Sequence, residues 1–136
     1  MLAAATVCLG ACHGVTDFDD LVGRLPLVSF NGEAVPAVVA PLPTVGPDGS
    51  SRGQCNVLMT TGLLELRAGG TYTMRLEQRD SCRNTLLNMS VDSGAVRQVG
   101  DSLSLRAPDG QELYWAGVLR DQIIVHYTNG TLGFRR

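Results

Sequence analysis

The stretch that decides the fold is CNVLMTTGLLELRAGGTYTMRLEQRDSC, residues 55–82. Around Ala68-Gly69-Gly70, a three-residue turn with Gly70 in the left-handed conformation folds the segment into a long hairpin. That turn pairs Leu66 with Tyr72 and Leu64 with Met74, placing four apolar side chains on one face. Upstream of Gly62 the apolar parity flips, from Leu64 and Leu66 to Val57 and Met59. A β-bulge near Gly62 accounts for the flip, because it inserts one unpaired residue. Counted through that bulge, Cys55 falls opposite Cys82. The pair is expected to form a disulfide, closing a loop worth roughly 3–4 kcal/mol in the chain-entropy model; two free buried thiols are the alternative.

Working outward, β-rich segments recur between turn signals, the pattern of an all-β sandwich or barrel. The expected strands are 23–30, 34–40, 55–67, 71–79, 94–99, 102–107, 112–119, 122–127 and 131–135. They are joined through Asn31-Gly32, Gly100-Asp101, Pro108-Asp109-Gly110, Arg120-Asp121 and Asn129-Gly130. Longer breaks are expected at 41–53 and 81–92, the latter with room for a turn or two of helix at 83–89. A two-residue Asn129-Gly130 turn pairs Tyr127 with Leu132 and Val125 with Phe134, and leaves His126 opposite Gly133. Arg120-Asp121 pairs Val118 with Ile123 and Ala116 with Val125. A three-residue turn at 108–110 would instead send Leu113 and Trp115 to the core, so a second bulge near Ala116-Gly117 is expected. Gly94 and Gly117 are expected to relieve crowding in the sheet. Nearest-neighbour strands leave two bare edges unless the sheet closes. The expected fold class is therefore all-β, an antiparallel up-and-down meander closing into a barrel of about eight strands.

Composition agrees and excludes much else. The chain has 136 residues, one domain's worth, with a net charge of −2 and 18% charged residues. All 11 basic residues are Arg. With no cationic surplus, nucleic acid is not an expected partner. Residues 2–11 (LAAATVCLGA) form an apolar stretch far short of the roughly 20 that cross a bilayer, and fit the core of an export signal.

Leu9-Gly10-Ala11-Cys12 resembles a bacterial lipobox. The resemblance implies cleavage before Cys12, lipid attachment there, and a division into signal peptide 1–11, lipidated tether 12–22 and barrel 23–136. His13, where Asp would mark inner-membrane retention, favours the periplasmic face of the outer membrane. In the body, Ser29-Phe30-Asn31-Gly32 runs on through Val35-Pro36. A Gly69-Gly70-Thr71-Tyr72 hairpin follows, then Gly94-Ala95-Val96, Gly100-Asp101 with Leu103 and Leu105, and a closing Phe134-Arg135-Arg136. This order is similar to small lipocalin-like barrel lipoproteins of bacteria across residues 21–136, with Val96 where such domains often carry an aromatic residue.

No catalytic constellation is visible. There is no nucleophile elbow, no Cys is paired with a nearby His in a way that supports nucleophilic catalysis, and the two His, His13 and His126, lie far apart and offer no zinc set. Glu65, Glu77 and Glu112 fall at outward strand positions or strand ends. Asn88-Met89-Ser90 and Asn129-Gly130-Thr131 read as turn chemistry. The residues expected to face inward, and so to line any ligand, are Tyr72, Met74, Leu76, Leu103, Leu105, Tyr114, Val125, Tyr127, Leu132 and Phe134. The expectation is a monomeric, non-enzymatic, lipid-anchored envelope protein without metal or cofactor, whose barrel mouth takes a small hydrophobic molecule. The alternative is a structural or interaction module with a solid core.

Overall fold

A computed structural model describes residues 17–45, 51–128 and 130–136. The lipobox, His13 and Asn129 lie outside these residues. Among the described residues, a 3-10 turn, Phe18–Leu21, precedes ten strands: β1 Gly23–Phe30, β2 Glu33–Ala34, β3 Ala37–Val45, β4 Ser51–Arg67, β5 Thr71–Asp80, β6 Leu86–Val99, β7 Ser102–Arg106, β8 Glu112–Val118, β9 Gln122–Tyr127 and β10 Gly130–Arg135. All are antiparallel, in the order β2-β1-β10-β9-β8-β7-β6-β5-β4-β3, and an added β1–β4 pairing closes eight of them into a barrel. That closing pairing sets Gly23 to Pro26 against Leu66 to Leu63. Leu21, in the stretch read as tether, is only 1% exposed and packs into the core.

The long hairpin forms as its residues dictate. Gly70 has φ +81°, Leu66 pairs with Tyr72, and Leu64 pairs with Met74. The bulge sits between Met59 and Thr61, two residues earlier than expected, and it brings Met59 to the core. Gly62 instead fills a tight spot, where a Cβ would press on Leu76 and Leu27. Cys55 and Cys82 are disulfide-bonded. The Arg120-Asp121 connection keeps the expected register, Ala116 with Val125 and Val118 with Ile123.

Several details differ. Tyr127 opposes Gly130, Leu132 opposes Val125, and His126 opposes Thr131 rather than Gly133. The slip is two residues, so every side chain keeps its face and the hydrophobic pattern cannot sense it. Asn31 Oδ1 accepts the Thr131 N–H at 2.8 Å and packs against Gly130, tying the start of β10 to the turn after β1. The conflict around Trp115 resolves through a bulge at Leu113, between Leu105 and Arg106 on the partner strand, and not near Ala116-Gly117. Tyr114 and Ala116 therefore point inward, and Leu113 and Trp115 outward. A Cβ at Gly94 would collide with the Arg106 carbonyl, whereas Gly117 has open space around it and relieves nothing.

The larger corrections concern the two expected breaks. Residues 41–45 and 51–53 are strand, as are residues 86–92, so Asn88-Met89-Ser90 is not a turn and 83–89 is not helical. Residues 34–40 are not one strand either: the chain passes through a cis Val35-Pro36 bond between β2 and β3. The result is a four-stranded lip, β3-β4-β5-β6, standing beyond the closed barrel. Among the described residues its two outer edges stay bare: β3 pairs only with β4, and residues 86–94 of β6 pair only with β5, since β7 covers β6 no further than Ala95. Closure thus does not remove both sheet edges.

The core is continuous through the barrel. Tyr72, Phe134, Leu21, Met59, Leu64, Leu66, Met74, Leu103, Leu105, Ile123, Leu132 and Val125 are each less than 2% exposed. Burying a large apolar side chain stabilises by about 1.5–3 kcal/mol each, so this layer dominates the favourable side of folding.

Candidate functional site

Among the described residues, polar groups meet the barrel interior at one level, where β7 ends and the lip continues. Four strands build this point. β8 and β9 bring Tyr114 and Tyr127 together, with ring centroids 5.1 Å apart and planes tilted by 38°. β6 brings Asp92, whose Oδ2 accepts the Tyr114 hydroxyl at 3.1 Å. This bond spans the gap left by the short β7 and ties β8 to the free half of β6. β5 brings Tyr72, fully buried, whose hydroxyl has no hydrogen-bond partner among the described residues.

Electrostatics follow from this placement. Burial first, and then the Asp92 charge, push the Tyr114 phenol well above its ordinary value of 10.0, and the same two causes raise Tyr72. Both phenols therefore stay protonated at neutral pH, and Tyr114 donates to Asp92. An unpartnered buried hydroxyl costs about 1–3 kcal/mol, so the Tyr72 oxygen is a place where a polar atom would gain.

The expected inward residues are all where the pattern put them. Tyr72, Met74, Leu76, Leu103, Leu105, Val125, Leu132 and Phe134 are buried in the core, while Tyr114 and Tyr127 are half-buried against it. The buried ones belong to one hydrophobic core cluster, with Tyr114 and Tyr127 packed against it. Asp92 was missed: it had no motif, and its only sequence signal is inward parity with Met74 across β5 and β6.

The outer face is separate. A depression of about 410 Å³ is lined by Val99, Ser102, Leu103, Ser104, Glu112 and Trp115. Trp115 is 49% exposed and stacks on His126, with centroids 4.5 Å apart at 18°. The Ser104 hydroxyl donates to Glu112 Oε2 at 3.0 Å. A smaller depression of about 140 Å³ lies over the Gly62 region, between Thr61, Leu63, Arg75 and Glu77. The three outward carboxylates are in ion pairs: Glu65 with Arg24 and Arg67, Glu77 with Arg79, and Glu112 with Arg106.

Cys55, Asp80 and Cys82 bring three potential metal-ligating atoms within 4.8 Å of one another. Both sulfurs are bonded to each other, however, and Asp80 Oδ1 accepts the Cys82 N–H at 2.7 Å and the Arg83 N–H at 3.4 Å. That geometry closes a turn; it does not offer thiolates to a cation. No family model, no curated protein and no solved structure matches this chain.

Proposed function

We propose that this chain is a non-enzymatic, lipid-anchored envelope protein whose barrel is a solid-cored interaction module rather than a carrier. One observation carries the reading against a carrier. An enclosed cavity large enough for water would expose the side chains around it, yet twelve large inward residues are each less than 2% exposed. An eight-stranded barrel is narrow enough for its own side chains to fill, which supports the solid-core reading. The Leu9-Gly10-Ala11-Cys12 sequence supports the anchor, and the Cys55–Cys82 bond suits an oxidising compartment.

The test is a titration of the purified full chain with an environment-sensitive fatty-acid probe. The solid-core reading expects no saturable signal; stoichiometric, saturable binding overturns it. Anchoring is read separately. A Cys12→Ser variant should leave the membrane fraction and lose incorporated lipid label, and unchanged partition removes the anchor from the proposal.

One observation favours a second reading, a small ligand at the mouth. The partnerless Tyr72 hydroxyl lies at the same level as the Tyr114–Asp92 bond. On that reading a polar-headed probe binds, and Tyr72→Phe abolishes binding without unfolding the barrel.

A further inference from the structure

We infer that the bare edge of β6, residues 86–94, is an interaction surface for a second copy of this chain, joined edge to edge by antiparallel strand pairing about Ser90. The Val96 N–H donates to the Gly70 carbonyl at 2.8 Å, on the β5 side. The β5–β6 ladder runs without a shift from Ala95 to Asn88, and main-chain groups alternate sides along a strand. Gly94, Asp92 and Ser90 therefore face β5, while Ser93, Val91 and Met89 present their N–H and C=O groups to the open side, where no strand pairs with them.

Side chains add to the main-chain row. Leu86, Leu87, Met89 and Val91 are 47%, 42%, 44% and 56% exposed, an unusual concentration of large apolar groups on one edge. A long edge strand with apolar side chains is a template for another strand. Nothing between Asn88 and Gly94 blunts it: there is no Pro, no basic residue and no bulge.

The sequence of the edge selects the occupant. In a two-fold pairing centred on Ser90, Met89 lies opposite Val91 of the second copy, and Val91 opposite its Met89. Both residues carry the free main-chain groups that such a pair must exchange. On the other face Asn88 meets Asp92 of the second copy, twice, so an amide donor faces a carboxylate. Asp92 gives Oδ2 to Tyr114 and keeps Oδ1 for this contact. Moving the centre to Asp92 would set the two carboxylates against each other. The Ser90 centre also spans the bare segment, with the register shift at Leu87 at its margin, and β7 of each copy lies just beyond the end of the paired segment. A two-fold interface requires this self-complementarity, residue i on j and j on i.

The test uses the full chain in sedimentation velocity over a concentration series, with circular dichroism as a control for folding. Wild type is expected to reach a dimer. Val91→Pro removes a donor that faces outward and leaves the β5 ladder intact, so association should weaken about fiftyfold through two lost hydrogen bonds per dimer. A register-specific check is Ser90→Cys. The two copies of this residue form a pair without mutual main-chain bonds, with Cα atoms about 4.5 Å apart, and oxidation should cross-link them. Ser93→Cys, which faces Leu87, should not cross-link above the wild-type background. A monomeric wild type, a folded Val91→Pro that associates like wild type, a wild type that pairs only with a strand of another protein, or no Ser90→Cys cross-link each overturns the inference.

Discussion

The lip of this barrel ends in two bare edges, and the chain treats them in opposite ways. On β3, the Asn56 carbonyl accepts the Ser81 N–H at 2.9 Å on the β5 side, so the Asn56–Pro41 pair exchanges no main-chain bonds and Pro41 turns its nitrogen outward. Pro43, two residues on, does the same. Two register shifts, at Val38/Ala40 and Pro43/Val45, distort the edge further. Prolines and bulges are the ordinary means by which a sheet edge is kept from pairing. On β6 the stretch from Asn88 to Gly94 has neither, its one register shift lying at Leu87, and it displays Met89 and Val91 instead. One edge is built to repel a strand and the other is built to accept one. The difference teaches that the barrel's incomplete closure is a feature with a direction, and it replaces the expectation of a monomer with a proposed two-fold dimer.

The largest expected effect falls on the lip that carries both edges. Replacing Cys55 and Cys82 together with Ser should lower stability by about 3 kcal/mol in urea denaturation. The loss should fall on the lip first, seen as faster amide exchange in 51–59 and 77–91 than in the β8–β10 strands. Uniform acceleration would mean that lip and barrel unfold as one unit.

Next is an exchange of character between the edges. Pro41→Val with Pro43→Val restores two outward N–H groups on β3 and should strengthen self-association about tenfold by light scattering. No change would assign the protection of β3 to its bulges alone.

Tyr114→Phe probes the root of the β6 edge, where the hydroxyl grips Asp92, and should cost about 1 kcal/mol. It also has a pH signature. A phenol raised above its ordinary 10.0 in the folded state contributes stability that is complete below pH 10 and lost as pH climbs past it. Wild type should therefore weaken above pH 10, and the variant should weaken less. Equal alkaline profiles would show that Tyr72, not Tyr114, carries the effect.

The smallest effect is expected at Val38, 51% exposed on β3: Val38→Thr should shift stability by less than about 0.5 kcal/mol and leave association unchanged.

Much of this was legible in the residues. The hairpin through Gly70, the Cys55–Cys82 pair and the inward set from Tyr72 to Phe134 follow from period-two alternation and turn chemistry, which act locally. The lip was not legible. Leu86, Leu87, Met89 and Val91 break the rule that apolar strand residues face a core, so a reading based on burial turns 81–92 into a connector. The two prolines of β3 likewise argue against a strand unless it is known to be an edge. Asp92 gains its meaning only from Tyr114, 22 residues away on a strand that is not its neighbour.

Side-chain period and turn residues are enough to specify a closed antiparallel meander with a stapled central hairpin, because they set which neighbours pair and which face is buried. Tertiary structure alone decided the two-residue slip at Gly130, the bulge at Leu113 and the lengths by which β3 and β6 outrun the barrel. Those choices leave the apolar pattern unchanged, so they rest on long-range contacts: the Asn31 side chain on Thr131, the Arg106 carbonyl against Gly94, and the point at which β7 stops covering β6.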